Sequence, residues 1–118
     1  MKALWFSGLL AVSLLMGCGR GVPVIESPAQ GAQYSIAQTQ VIQVTLANQE
    51  YQDTSIQFLG TESVPEFIWQ STAGGPAQAF KNAQGAGFGT CTAQRPCTIF
   101  IIVTRGDQKD FRTISLIP

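Results

Sequence analysis

An all-β sandwich of six or seven short strands is the fold class this chain predicts, and three observations carry the prediction. Apolar and polar residues alternate at period two in several stretches, as they do in strands with one buried face. Turn-forming residues punctuate the chain at spacings of about ten residues, the rhythm of a small sandwich. No apolar stripe at helical period runs longer than about two turns, which disfavours an α/β architecture. A small β-barrel satisfies the same pattern and stands as the competing architecture.

The strands follow in order. Val22-Pro23-Val24-Ile25-Glu26 reads as the first, with Pro23 confining it to a sheet edge or a strand start because proline donates no hydrogen bond. Ser27-Pro28-Ala29-Gln30-Gly31 carries turn chemistry. Residues 39–46 alternate, placing Ile42, Val44 and Leu46 on one face and Gln43 and Thr45 on the other. Ala47-Asn48-Gln49-Glu50 is a polar connection to a strand at 54–59, where Ile56 and Phe58 face inward and Gly60 ends the run. Pro65 precedes a strand at 66–70 in which Phe67 and Trp69 share a face and Ile68 opposes them.

Residues 72–96 are the least regular part. Gly74-Gly75-Pro76 is a turn, and a short strand around Phe80 fits residues 77–82. Gly85-Ala86-Gly87-Phe88-Gly89 excludes a regular helix, since each glycine costs about 1 kcal/mol relative to alanine. The pattern then sharpens. Residues 98–104 form a continuous apolar run, expected to be buried on both faces or nearly so; Arg105-Gly106-Asp107-Gln108 is a turn; residues 110–117 return with Ile114 and Leu116 inward. This is the strongest hairpin signal in the chain.

Val24-Ile25-Glu26-Ser27-Pro28, then Gly31 and Tyr34, then the alternating strand at 41–46, together resemble the opening of bacterial immunoglobulin-like and fibronectin type III-like modules. Such modules often begin with an apolar strand, Ser-Pro, a glycine turn and a small aromatic. The resemblance spans residues 24–46 and implies a small immunoglobulin-like β-sandwich over residues 22–118.

The first residues carry a different message. Met1-Lys2 is a short basic start, residues 3–16 are apolar, and Leu15-Met16-Gly17-Cys18 closes the run. The apolar stretch has signal-peptide length and falls short of the about 20 residues a membrane-spanning helix needs. Leu15-Met16-Gly17-Cys18 resembles the lipobox of bacterial lipoproteins. That resemblance implies removal of residues 1–17 and lipidation of Cys18, which would anchor the chain in a membrane. Several acyl chains on one residue meet the need for more than one anchoring signal. Gly19 after the cysteine implies, by the enteric-type sorting rule, export to the outer membrane of the cell envelope. Residues 18–21 then form a lipidated terminus and short linker: five residues from Cys18 to Val22 reach at most about 15–18 Å.

With Cys18 assigned to lipid, Cys91 and Cys97 remain as a pair in an oxidising compartment, and we pair them as a disulfide. Closing a seven-residue ring stabilises the fold by roughly 2.4 kcal/mol on chain-entropy grounds. The ring is local, unlike the bridge between sheets that antibody domains carry.

The residues offer little to catalysis. There is no histidine, the usual base beside a Ser or Cys nucleophile and a common metal ligand. The residues left after cleavage hold six basic and seven acidic side chains, a balance that gives no electrostatic case for nucleic acid. Glu62 and Glu66 read as surface of an exposed turn rather than as a glycosidase pair. Glu50 and Asp53 supply fewer oxygens than a calcium loop gathers. The Gly85–Gly89 stretch lacks the spacing and following helix of a phosphate loop. Arg105-Gly106-Asp107 reads as turn chemistry rather than a recognition tripeptide. No cofactor, metal site or catalytic residue is expected, and the chain is read as no enzyme.

Loops on a rigid β scaffold are where binding concentrates, so Phe80, Phe88 and Arg95, in and beside the glycine-rich segment and the ring, are the candidate partner-contact residues; the alternative for the two phenylalanines is that their rings cap the end of the sandwich core. The expected function is a membrane-anchored envelope lipoprotein that binds or assembles with another envelope protein. An inhibitor or exclusion lipoprotein, blocking a lytic enzyme or a phage receptor, is the alternative.

Overall fold

The structure is a computed structural model that describes residues 22–83 and 91–118. Residues 1–21, with the expected signal segment, Cys18 and the expected linker, and residues 84–90, in the glycine-rich stretch with Phe88, lie outside the described residues.

Nine strands form among the described residues: β1 (Ile25–Ser27), β2 (Ala32–Ser35), β3 (Val41–Leu46), β4 (Ser55–Leu59), β5 (Phe67–Gln70), β6 (Thr72–Ala73), β7 (Ala77–Lys81), β8 (Cys97–Arg105) and β9 (Gln108–Ile117). They build two sheets, one in the order β1-β3-β7-β5 and the other β2-β9-β8-β4-β6. Seven of the nine coincide with the strands read from sequence. The two additional ones, β2 and β6, are short pieces whose pairing comes from distant neighbours. β2 runs parallel to β9 through Ala32↔Ile114 to Ser35↔Ile117, and β6 pairs with β4 through Ile56↔Thr72. Pro23 precedes β1, which is indeed an edge strand.

Alternation decides what faces the core. Ile42, Val44 and Leu46 of β3, Ile56 and Phe58 of β4, Ile99, Ile101 and Val103 of β8, and Ile114 and Leu116 of β9 are all buried between the sheets. Each fully buried aliphatic side chain of this size stabilises the fold by about 1.5–3 kcal/mol. Ala77 and Ala79 are buried on β7, where small side chains let Phe67 and Trp69 of the neighbouring strand fill the interior. Trp69 lies edge-on to Phe58 at 5.2 Å between ring centroids, and its indole N–H donates to the carbonyl of Val64 at 3.0 Å. Tyr34 packs on the core from β2, and burial pushes its phenol pKa above the ordinary value.

One expectation is corrected here. The run at 98–104 is buried on one face only: Ile99, Ile101 and Val103 point inward, while Phe100 remains 47% exposed. Nothing among the described residues covers the outer face of this sheet, so period-two alternation of orientation persists beneath a run that is apolar throughout.

The registers fix the polarity of the sandwich. At one end lie the start of β1, the end of β3, the loop at 47–54, the start of β4 and the β8–β9 turn, because Ile25 pairs with Leu46 and Ser55 with Thr104. At the other end lie Leu59, the start of β5, the end of β7, the start of β8 and the end of β9, because Leu59 pairs with Phe100 and Cys97 with Leu116. The nine residues of β8 separate the two ends by about 27 Å.

Candidate functional site: the disulfide-ring end

Cys91 and Cys97 are joined, with Cα atoms 5.1 Å apart. Cys91 is buried against the core and Cys97 begins β8, so the ring is rooted on both sides in the most firmly paired part of the fold. Inside it the backbone closes a tight turn: Thr92 N–H donates to the Arg95 carbonyl at 3.0 Å, and Arg95 N–H donates to the Thr92 carbonyl and hydroxyl at 3.2 and 2.9 Å. With its backbone satisfied internally, the ring leaves Thr92 to Pro96 exposed. Arg95 stands on that exposed tip.

The neighbouring loop is built to carry the ring. Gly60 leaves β4 with φ at +89°, a conformation that favours glycine. A short 3-10 turn, Thr61–Ser63, follows, and the Ser63 carbonyl lies 3.7 Å from both ring sulfurs. Asn82 then ties the end of β7 to this loop, its N–H donating to Glu66 and its side-chain amide to Pro65. Glu62 is exposed and Glu66 half-buried on the same loop.

Phe80 does not stand beside the ring tip. It is half-buried on the outer face of β7, in a cross-strand row with Val41 of β3 and Ile68 of β5. Of the three residues singled out as partner contacts, Arg95 is therefore on the ring, Phe80 is on a sheet face near the same end, and Phe88 lies outside the described residues.

At the opposite end Arg105 is only 8% exposed and turns away from the turn tip, donating to the Glu50 carbonyl at 2.7 Å. Arg105-Gly106-Asp107 is thus a hairpin turn, with Gly106 at φ +58°, and its arginine is not displayed. Glu50, Asp53 and Asp107 are exposed nearby, and no group of three or more potential metal ligands occurs among the described residues.

Two residues that sequence reading passed over hold this end together. The Ile25 N–H donates to the Asp110 carboxylate at 2.8 Å, and Arg112 donates to the Ile25 carbonyl at 2.7 Å, while the two side chains pair at 3.5 Å. The Val24 carbonyl accepts from the N–H of Ala47, just past the end of β3, so the Ile25 groups point off the open edge of β1. Asp110 and Arg112 therefore close an exposed strand edge, where unpaired groups would invite another chain. Their signal was present: both share the inward parity of Ile114 and Leu116, an unusual place for charge.

The fold defines the chain as an immunoglobulin-like β-sandwich. A solved structure of chimeric titin Z1Z2 functionalized with a KLER exogenous peptide from decorin superposes with a TM-score of 0.50 at 16% identity, covering 85% of this chain and 96% of that one. No family profile and no curated protein matches the sequence. The likeness speaks for the fold alone.

Proposed function

We propose that the chain is a membrane-anchored envelope lipoprotein acting as a non-enzymatic binding module, tethered at one end of its sandwich and offering the disulfide ring at the other. The observation that carries the reading is the polarity of the strands: β1 begins at the end opposite the ring. A chain held through Cys18, a few residues before β1, then keeps the loop at 47–54 and the β8–β9 turn near the bilayer. The ring, Arg95 and the Gly60–Glu66 loop face outward. Gly19 after Cys18 supports an outer-membrane destination. The partner class is another envelope protein.

Two measurements test the two halves of this reading. Cys18→Ala should abolish incorporation of a palmitate analogue and release the chain from the membrane fraction; label persisting in the variant overturns the anchoring. A photo-crosslinking residue at Gln94, on the ring, should capture an envelope protein more strongly than one at Gln49, at the tether end. Equal capture from both overturns the ring as the contact surface.

A second reading, an inhibitor of a lytic enzyme, draws on Arg95 at the tip of a tied and internally bonded ring, a shape suited to a cleft. Purified chain that leaves lysozymes, proteases and phage adsorption unaffected removes it.

A further inference from the structure

The outer face of the five-stranded sheet carries four large apolar side chains in one group. Outward parity on β4, β8 and β9 belongs to Leu59, Phe100, Ile102 and Phe111, and the registers Leu59↔Phe100 and Ile102↔Phe111 make them neighbours. Leu59 and Phe100 are each 47% exposed and Phe111 is 56% exposed. Gln57, Thr98, Thr104 and Thr113 border the group, and Lys109, toward the tether end, is the charged side chain of outward parity on these three strands. Clustered exposed apolar side chains with a polar rim mark an interaction surface.

We propose that this face pairs with the same face of a second copy of the chain, about a two-fold axis running along β8. The axis direction rests on the anchoring reading above. An axis along the strands leaves both copies of β1 starting at the same end, so both tethers reach one bilayer; an axis across the strands sends them to opposite ends. The face also suits itself. A two-fold along β8 lays β9 of each copy over β4 of the other, setting Phe111 against Leu59 and Gln57 of the second copy while Phe100 and Ile102 meet near the axis. The absence of charge at the centre removes like-charge repulsion, and the Lys109 copies fall on opposite sides of the axis. Sheets stacked in this way pack about 10 Å apart with strands nearly aligned.

Size sets how strongly the copies pair. The sheet's strands have 4, 10, 9, 5 and 2 residues, and at a rise of about 3.3 Å and a spacing of about 4.8 Å they make a face of roughly 500 Å² per copy. A stable interface covers about 800 Å² per partner. Pairing is therefore weak between free chains and becomes populated where a tether confines both copies to one surface, raising their effective concentration. The result is a pair of rings side by side at the outer end.

The full chain in its own membranes tests this. Thr104→Cys, on β8 beside the axis, adds a thiol while Cys91 and Cys97 stay paired. A bis-maleimide that spans about 10 Å, the separation of stacked sheets and too far for a direct disulfide, should give a product of twice the chain mass. Gln43→Cys, on the outer face of the other sheet, should give none. Adding Phe111→Lys or, separately, Leu59→Lys to the Thr104→Cys chain should lower the yield at least tenfold, with thermal melting of each variant confirming that it folds. No doubled product, a product of another mass, equal yield from Gln43→Cys, or yield unmoved by both lysine variants overturns the pairing. Palmitate labelling of the same samples separates the two readings: label without crosslink refutes pairing alone, and crosslink without label refutes anchoring alone.

Discussion

Gly60 leaves β4 with φ at +89°, and a β-carbon there would lie 2.9 Å from the Thr98 carbonyl oxygen on the neighbouring strand. Both the backbone conformation and the close approach oppose any side chain. Gly60→Ala should therefore destabilise the fold by more than the about 1 kcal/mol that a compatible glycine-to-alanine change would gain, read as a lower denaturant midpoint with an unchanged slope. The Asp110–Arg112 clamp makes a second residue-scale claim. Asp110→Ala strips the Ile25 N–H of its acceptor and leaves Arg112 without its carboxylate. A loss of about 1–3 kcal/mol follows, and Asp110→Asn, which keeps an acceptor oxygen, should lose less. Equal midpoints for wild type and Asp110→Ala would refute the clamp.

Among the elements, the β8–β9 hairpin organises the rest, pairing from Cys97↔Leu116 to Arg105↔Gln108 without a break. It was legible because its turn residues and its two apolar runs agree on one register. β2 and β6 were not legible: Ala32–Ser35 and Thr72–Ala73 are too short to show periodicity, and β9 and β4 supply their pairing. The exposure of Phe100 was hidden for a different reason. An apolar run carries no mark of which face is covered, and coverage depends on what stacks above the sheet. The ring, by contrast, followed from cysteine arithmetic. Replacing Cys91 and Cys97 with serine should cost about 2 kcal/mol, chiefly through the greater freedom of the unfolded chain, and leave the fold in place. If the ring carries recognition, partner binding should fall further than melting does, because ordering a freed segment on contact costs additional entropy. Melting and binding curves for oxidised and double-serine chains check both.

At the scale of the molecule the proposed function turns on polarity: the start of β1, where the proposed tether would attach, at one end, a rooted and exposed ring at the other, and paired strands between them. Alternation and turn spacing made the sandwich legible, but polarity required the registers, since no local pattern says that β1 begins beside the β8–β9 turn. Energy transfer to acceptor-labelled lipid measures polarity directly. The full lipidated chain, in vesicles, would carry a donor on Asp107→Cys at the β8–β9 turn or on Gln38→Cys at the ring end. Both positions are exposed, and the sandwich separates them by about 27 Å. The account predicts strong transfer from position 107 and weak transfer from position 38; equal transfer, or the reverse order, would contradict it.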